Sequence, residues 1–183
     1  MNKLEKRLYF FVPYNISPIQ QAIQAGHAAL EYAHKYKDDP EYIDFVENWK
    51  TWIILNGGTT NSQRDFDSVS LGSLNQIADQ LLEKGVKFHY FKEPDLEDAL
   101  TAVCFLCDEK VFNYTDYPDF HEWIINQDII DEDQKLNSFL ELRNKTPEKL
   151  KELFPGMYPL WVRQMGGEEN LFLRQLLRNK KLA

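Results

Sequence analysis

Residues 8–29 read LYFFVPYNISPIQQAIQAGHAA. Leu8–Val12 is a compact apolar run ended by Pro13 and Asn15, the length and flanks of a buried strand. Ser17 then stands as an N-cap, Pro18 takes the first helical position, and Gln20 is spaced to close a capping box. The helix is expected from Pro18 to about Tyr36. Its apolar positions Ile19, Ala22, Ile23, Ala29, Leu30 and Ala33 follow helical spacing. A strand running straight into a capped helix is the opening of an α/β fold.

The reading continues outward in the same alternation. Asp38-Asp39-Pro40 breaks the helix, and Glu41–Lys50 is a second amphipathic helix through Tyr42, Phe45, Val46 and Trp49. Thr51–Leu55 is a strand closed by Asn56-Gly57-Gly58, and the polar stretch Thr59–Ser68 is a loop. Ser73–Glu83 is helical, with Leu74, Ile77, Ala78, Leu81 and Leu82 on one face and Gly85 as C-cap. Val86–Phe91 is a strand, Glu93–Asp98 an acidic turn, and Ala99–Leu106 a fourth strand. The order β-α-α-β-α-β-β predicts a three-layer α/β sandwich with a four-stranded, mostly parallel mixed sheet. The short last connection fits antiparallel pairing of strands three and four.

After Lys110 the texture changes. Phe112–Phe120 is rich in Tyr, Phe, Asp and Pro, and Asp128–Asp133 is acidic. Lys135–Leu142 and Pro147–Leu153 are short helices, the second capped by Thr146. Pro155, Gly156 and Pro159 mark turns, and Glu168–Leu177 is a closing amphipathic helix. Residues 1–111 and 167–183 are therefore read as one α/β domain, with 112–166 a mainly helical insertion packed on it. The aromatic residues of the insertion (Tyr114, Tyr117, Trp123, Tyr158, Trp161) are read as a small core rather than a base-stacking platform.

The chain of 183 residues carries 21 Lys and Arg against 29 Asp and Glu, a net charge of −8. That balance argues against a non-specific nucleic-acid coat, which works by neutralising phosphates. Residues 1–111 hold 11 basic and 17 acidic side chains, so −6 of the −8 lies there. Residues 170–183 carry only basic charges: Arg174, Arg178, Lys180 and Lys181.

Cys104 and Cys107 form a C-x-x-C inside the apolar run Ala102–Cys107. A structural zinc site wants four ligands, and the pair has no second pair or histidine cluster beside it. They are read as small buried strand residues, and a reducing cytoplasm is the default compartment. His34, His89 and His121 lack metal-ligand spacing. Asn56-Gly57-Gly58-Thr59 lacks the lysine of a phosphate loop and the glycine spacing of a dinucleotide site. No metal, cofactor or membrane partner is expected.

The helix Gln20-Gln21-Ala22-Ile23-Gln24-Ala25-Gly26-His27-Ala28-Ala29 is the most specific segment. Its small residues let the helix lie close to a sheet. Gln20 and Gln24 are one turn apart, and His27 follows Gln20 by two turns. In this strand–helix context the segment resembles the archaeal and eukaryotic (type 2) peptidyl-tRNA hydrolase family, whose helix reads close to G-K-x-A-A-Q-x-[GS]-H-A-A. The resemblance extends diffusely over residues 7–111 and 167–183, including Leu100-Thr101-Ala102-Val103 as the start of the fourth strand.

The resemblance implies hydrolysis of the ester joining a peptide to the 3′ end of tRNA. That chemistry needs an activated water, oxyanion donors and a basic surface. Carried over, it makes His27 and either Glu93 or Asp95 the catalytic candidates for handling the water. Gln20, Gln24 and Thr101 become substrate-binding candidates, and Arg174 and Arg178 candidates for tRNA phosphates. Gln20 stands where the family has lysine, so it donates a hydrogen bond but supplies no charge. The partner candidates are tRNA, a second copy of the chain, and a protein partner for 112–166. A catalytically silent binding or protein-interaction module on the same fold is the alternative. Each candidate also has a plain structural role: capping for Gln20, core packing for His27, solvated charge for the acidic turn and the basic end.

Overall fold

A computed structural model describes residues 3–61, 71–127 and 140–183. Most of the expected loop Thr59–Ser68, the acidic stretch Asp128–Asp133 and most of the expected helix Lys135–Leu142 lie outside these residues. The chain forms two compact units, Met1–Glu109 with Leu176–Ala183, and Lys110–Gln175.

The first unit is built on β1 (Lys6–Pro13), β2 (Thr51–Gly58), β3 (Phe88–Glu93) and β4 (Ala99–Asp108). They lie in the order β2-β1-β4-β3. β1 runs parallel to β2, whereas β4 runs antiparallel to both β1 and β3. Three strands thus share one direction and β4 opposes them, the four-stranded mixed sheet expected from the sequence; because β4 lies between β1 and β3, one neighbouring pair is parallel and two are antiparallel. The closing residues run along the outer edge of β2: Asn56 N donates to Lys181 O at 2.9 Å and Ala183 N to Ile54 O at 3.1 Å. Backbone groups that an edge strand otherwise leaves unpaired are satisfied there.

Helices α1 (Pro18–Tyr36) and α2 (Pro40–Asn48) cover one face of the sheet. Ala25, Ala28, Ala29 and Tyr32 of α1 and Phe45 of α2 share a core with Leu8, Phe10, Val12, Ala102 and Cys104. Fully burying a side chain such as Phe10 contributes about 2 kcal/mol. On the other face, α3 (Ser73–Glu83) brings Leu74 against β1 and β2. A methyl group added at Gly57 would meet Leu74 Cδ1 at 2.8 Å and Phe11 Cβ at 3.1 Å. The result is helix, sheet, helix.

Helix α1 corrects the sequence reading of its own orientation. Ile19 is 75 % and Leu30 71 % exposed, and Ile23 also faces water. The buried face is Gln21, Gln24, Ala25, Ala28, Ala29 and Tyr32. Small side chains bring the helix backbone near the sheet. The two glutamines are tolerated there because each is hydrogen-bonded, Gln21 Nε2 donating to Pro13 O at 3.0 Å.

Both cysteines are buried in β4 and neither is in a disulfide. Three residues apart on a strand, they face opposite sides of the sheet. Burial pushes the Cys104 thiol up, so it stays protonated at neutral pH.

The second unit holds the short helices α5 (Phe120–Ile125), α6 (Pro147–Leu153) and α7 (Tyr158–Gln164). A single turn, α4 (Glu109–Phe112), precedes them, and α8 (Glu168–Leu177) follows. Phe120 sits among Trp123, Phe154, Tyr158 and Trp161, with ring centroids 5.2–5.9 Å away. Of the aromatic residues expected to form a core, Tyr158 and Trp161 are buried in it and Tyr117 and Trp123 pack against it, whereas Tyr114 is exposed. The segment at Pro159, expected to be turn, is helical. Proline sits in the first turn of α7, where its missing N–H costs nothing.

Candidate functional site

Three polar side chains meet where α1 crosses the ends of β3 and β4. Thr101 Oγ1 donates to Gln24 Oε1 at 2.6 Å, and Gln24 Nε2 donates to Glu93 Oε2 at 2.6 Å. The directions are fixed by chemistry. An ionised carboxylate only accepts, so the amide must turn its NH2 toward Glu93 and its oxygen toward the hydroxyl. Thr101 is 1 % and Gln24 7 % exposed, while Glu93 is half-buried. A buried donor therefore sets a buried amide, which sets a carboxylate that water can reach.

A bulge makes this possible. Phe91 pairs with Ala102, but Lys92 pairs with Leu100, so Thr101 is the unpaired extra residue of β4. Strict alternation sends Thr101 to the face opposite Ala102. The bulge re-aims it toward α1 instead. Thr101 Oγ1 also lies 3.4 Å from Phe91 O, on the strand it bulges away from.

The β3–β4 connection continues from Glu93 through a 3-10 turn (Pro94–Leu96). Glu97 and Asp98 both hold φ of +58°, two successive non-glycine residues in the left-handed region. Such residues cost of the order of 1 kcal/mol or more each and persist only where surroundings fix them. Here Asp98 N donates to Glu93 O at 3.1 Å, closing the loop on the site carboxylate.

The other candidates divide. Asp95 is exposed in the 3-10 turn, so of the two acidic candidates it is Glu93 that meets Gln24. His27 packs its ring on Phe91, centroids 4.5 Å apart, and its Nδ1 is buried without a hydrogen-bond partner among the described residues. Gln20 is exposed and closes the capping box, its Oε1 accepting from Ser17 N at 3.0 Å while its own N donates to Ser17 Oγ at 3.3 Å.

The basic candidates part company as well. Arg174 is 2 % exposed within the second unit. It donates to Asp119 Oδ1 at 2.9 Å, Tyr117 O at 2.7 Å and Lys110 O at 3.1 Å, and stacks 3.7 Å from the Tyr114 ring. That guanidinium is committed to internal partners, which leaves it no open face for a phosphate. Arg178 is exposed. Lys180 Nζ lies 5.4 Å from the Phe11 ring centroid.

Among the described residues, no group of three His, Cys, Asp or Glu is placed to hold a metal ion. No described helix is long and apolar enough to cross a membrane. The feature that sequence reasoning missed is the bulge at Thr101; one register slip in a strand leaves no compositional trace. In comparisons with known proteins, the chain matches no protein-family model and no curated protein.

Proposed function

We propose that the first unit is an ester hydrolase of the peptidyl-tRNA hydrolase type, acting on the bond between an acyl group and the 3′ oxygen of a tRNA. The observation that carries this is the Thr101–Gln24–Glu93 chain, which orients one water-accessible carboxylate beside the start of α1. In this reading Glu93 takes a proton from water as its oxygen attacks the ester carbon. The bond from that carbon to the 3′ oxygen then breaks, and the proton passes to the 3′ oxygen. A carboxylic acid and a free 3′ hydroxyl result. Strain at Glu97 and Asp98 supports a loop held for function rather than for ease of folding. Two buried cysteines without a disulfide suit a reducing compartment, which in this proposal is the cytoplasm.

A second reading keeps the fold and drops the chemistry, leaving a binding module. Its support is specific: Gln20 replaces a cation and is engaged in capping, and Glu93, Asp95, Glu97 and Asp98 crowd negative charge at the site. Phosphates are repelled by such a rim.

Release of peptide from a peptidyl-tRNA at physiological salt separates the two. Turnover that falls about a hundredfold in Glu93→Gln and in Gln24→Ala supports hydrolysis. No turnover by the wild type, with no tRNA binding at low salt, sinks it and leaves the binding module.

A further inference from the structure

We propose that His27 serves this site as a hydrogen-bond donor through Nε2–H, offered to a carbonyl or anionic oxygen of the ligand, and not as a base. The proposal rests on the ester-cleaving reading above.

A neutral imidazole carries one proton and one lone pair, on different nitrogens. Of the two ring nitrogens in His27, Nδ1 is sealed from water and has no hydrogen-bond partner among the described residues. Beside the ring lies that of Phe91, 4.5 Å away centroid to centroid, and this ring offers no conventional acceptor. A proton on Nδ1 would be an orphaned buried donor, and these are rarer in native structures than under-satisfied acceptors. The proton therefore sits on Nε2, since of the two ring nitrogens of this half-buried side chain it is Nδ1 that is sealed and unpartnered.

The consequence for chemistry is direct. A general base needs a lone pair that the substrate or its water can reach. The lone pair of His27 is on the sealed Nδ1, and Nε2 already holds its proton. What the ring can offer outward is an N–H. His27 follows Gln24 by one helical turn and Gln20 by two, so the three line one side of α1. That side adjoins the Glu93 carboxylate through Gln24. A neutral donor there suits an oxygen that gains negative charge as the carbonyl is attacked. It also divides the labour: Glu93 handles the proton and His27 the oxyanion.

The test reads the ring directly. In the wild-type protein with nitrogen-15-labelled histidine, the proton-bearing signal is expected to be Nε2 and the bare one Nδ1. The reverse assignment overturns the proposal. An uncleavable probe, a 3′-(N-acetylphenylalanyl)amido-adenosine, is then added. Shifts of both the His27 Nε2 signal and the Gln24 side-chain NH2 signal support it. If Gln24 responds and His27 Nε2 does not, the donor role falls while the ester site stands. When neither responds at saturating probe, the ester site falls and the donor role falls with it. Kinetics give a second arm with peptidyl-tRNA. His27→Gln keeps an N–H near the place of Nε2 and is expected within about tenfold of wild type. His27→Ala is expected to lose about a hundredfold, the scale of one missing oxyanion donor. Equal losses in the two variants overturn the donor assignment.

Discussion

Thr101 and Gln24, 77 residues apart in the chain, are joined by a 2.6 Å hydrogen bond in which the hydroxyl donates to the amide oxygen. Neither residue can do its part alone. Without the bulge Thr101 faces the wrong side of the sheet, and without Thr101 nothing holds the amide so that its NH2 meets Glu93.

Removing the hydroxyl while keeping the shape tests this pair. In Thr101→Val, Gln24 Oε1 stays buried and loses its donor. The unfolding free energy is expected to fall by about 1–3 kcal/mol, the cost of an unsatisfied buried acceptor. Urea denaturation measures it. A loss under about 0.5 kcal/mol would mean that the bond is not holding Gln24 in place.

Gly58 tests the junction between β2 and α3. It sits at φ +85°, and an added Cβ would lie 1.9 Å from Ser73 Oγ. That hydroxyl donates to Gly57 O at 2.9 Å and accepts from Thr59 N at 3.0 Å, so it cannot move without breaking both bonds. Gly58→Ala is expected to cost about 2 kcal/mol from the left-handed backbone alone, with more from the clash. Thermal unfolding reports it. Gly85 has φ +70° but open space, so Gly85→Ala should cost only the backbone part.

Arg174 is a structural arginine. Arg174→Met removes a buried donor from the Asp119 carboxylate and from three backbone carbonyls. The second unit is expected to lose about 3 kcal/mol, seen as earlier unfolding by the fluorescence of Trp123 and Trp161. The exposed Arg178→Ala should change stability by about 0.5 kcal/mol or less.

Acid should loosen the β1–α2 contact. Asp44 accepts from Lys3 at 2.8 Å and from Lys6 at 2.9 Å, and Lys3 then Lys6 hold its carboxyl well below the ordinary value of 3.8. A depressed carboxyl stabilises the fold fully above its unfolded value. That contribution declines as pH falls below about 4 and vanishes once the folded carboxyl is protonated. Between pH 5 and 3 the melting temperature of wild type should fall more steeply than that of Asp44→Asn. Parallel curves would remove Asp44 from this role.

Much of the first unit was legible because local signals there agree with each other. Ser17, Pro18 and Gln20 do form the capping box. The apolar runs at Leu8–Val12 and Ala99–Leu106 do become the central strands. The buried side of α1 was not legible, because its large apolar residues point to water while alanines and bonded glutamines pack inward. Hydrophobic spacing counts side chains, and here closeness of approach decided the packing. In the second unit the aromatic core could be anticipated from composition. Proline at 159 disguised a helix start as a turn.

Local sequence sets the order of elements in the first unit, the α/β class, the capped helix after β1 and the acidic balance, since each depends on near neighbours or on simple counts. Tertiary structure alone decided which carboxylate belongs to the site, that Arg174 is internal, and that Thr101 reaches Gln24. All three depend on contacts between residues far apart in the chain, and the last on a single bulge residue that turns a side chain from one face of the sheet to the other.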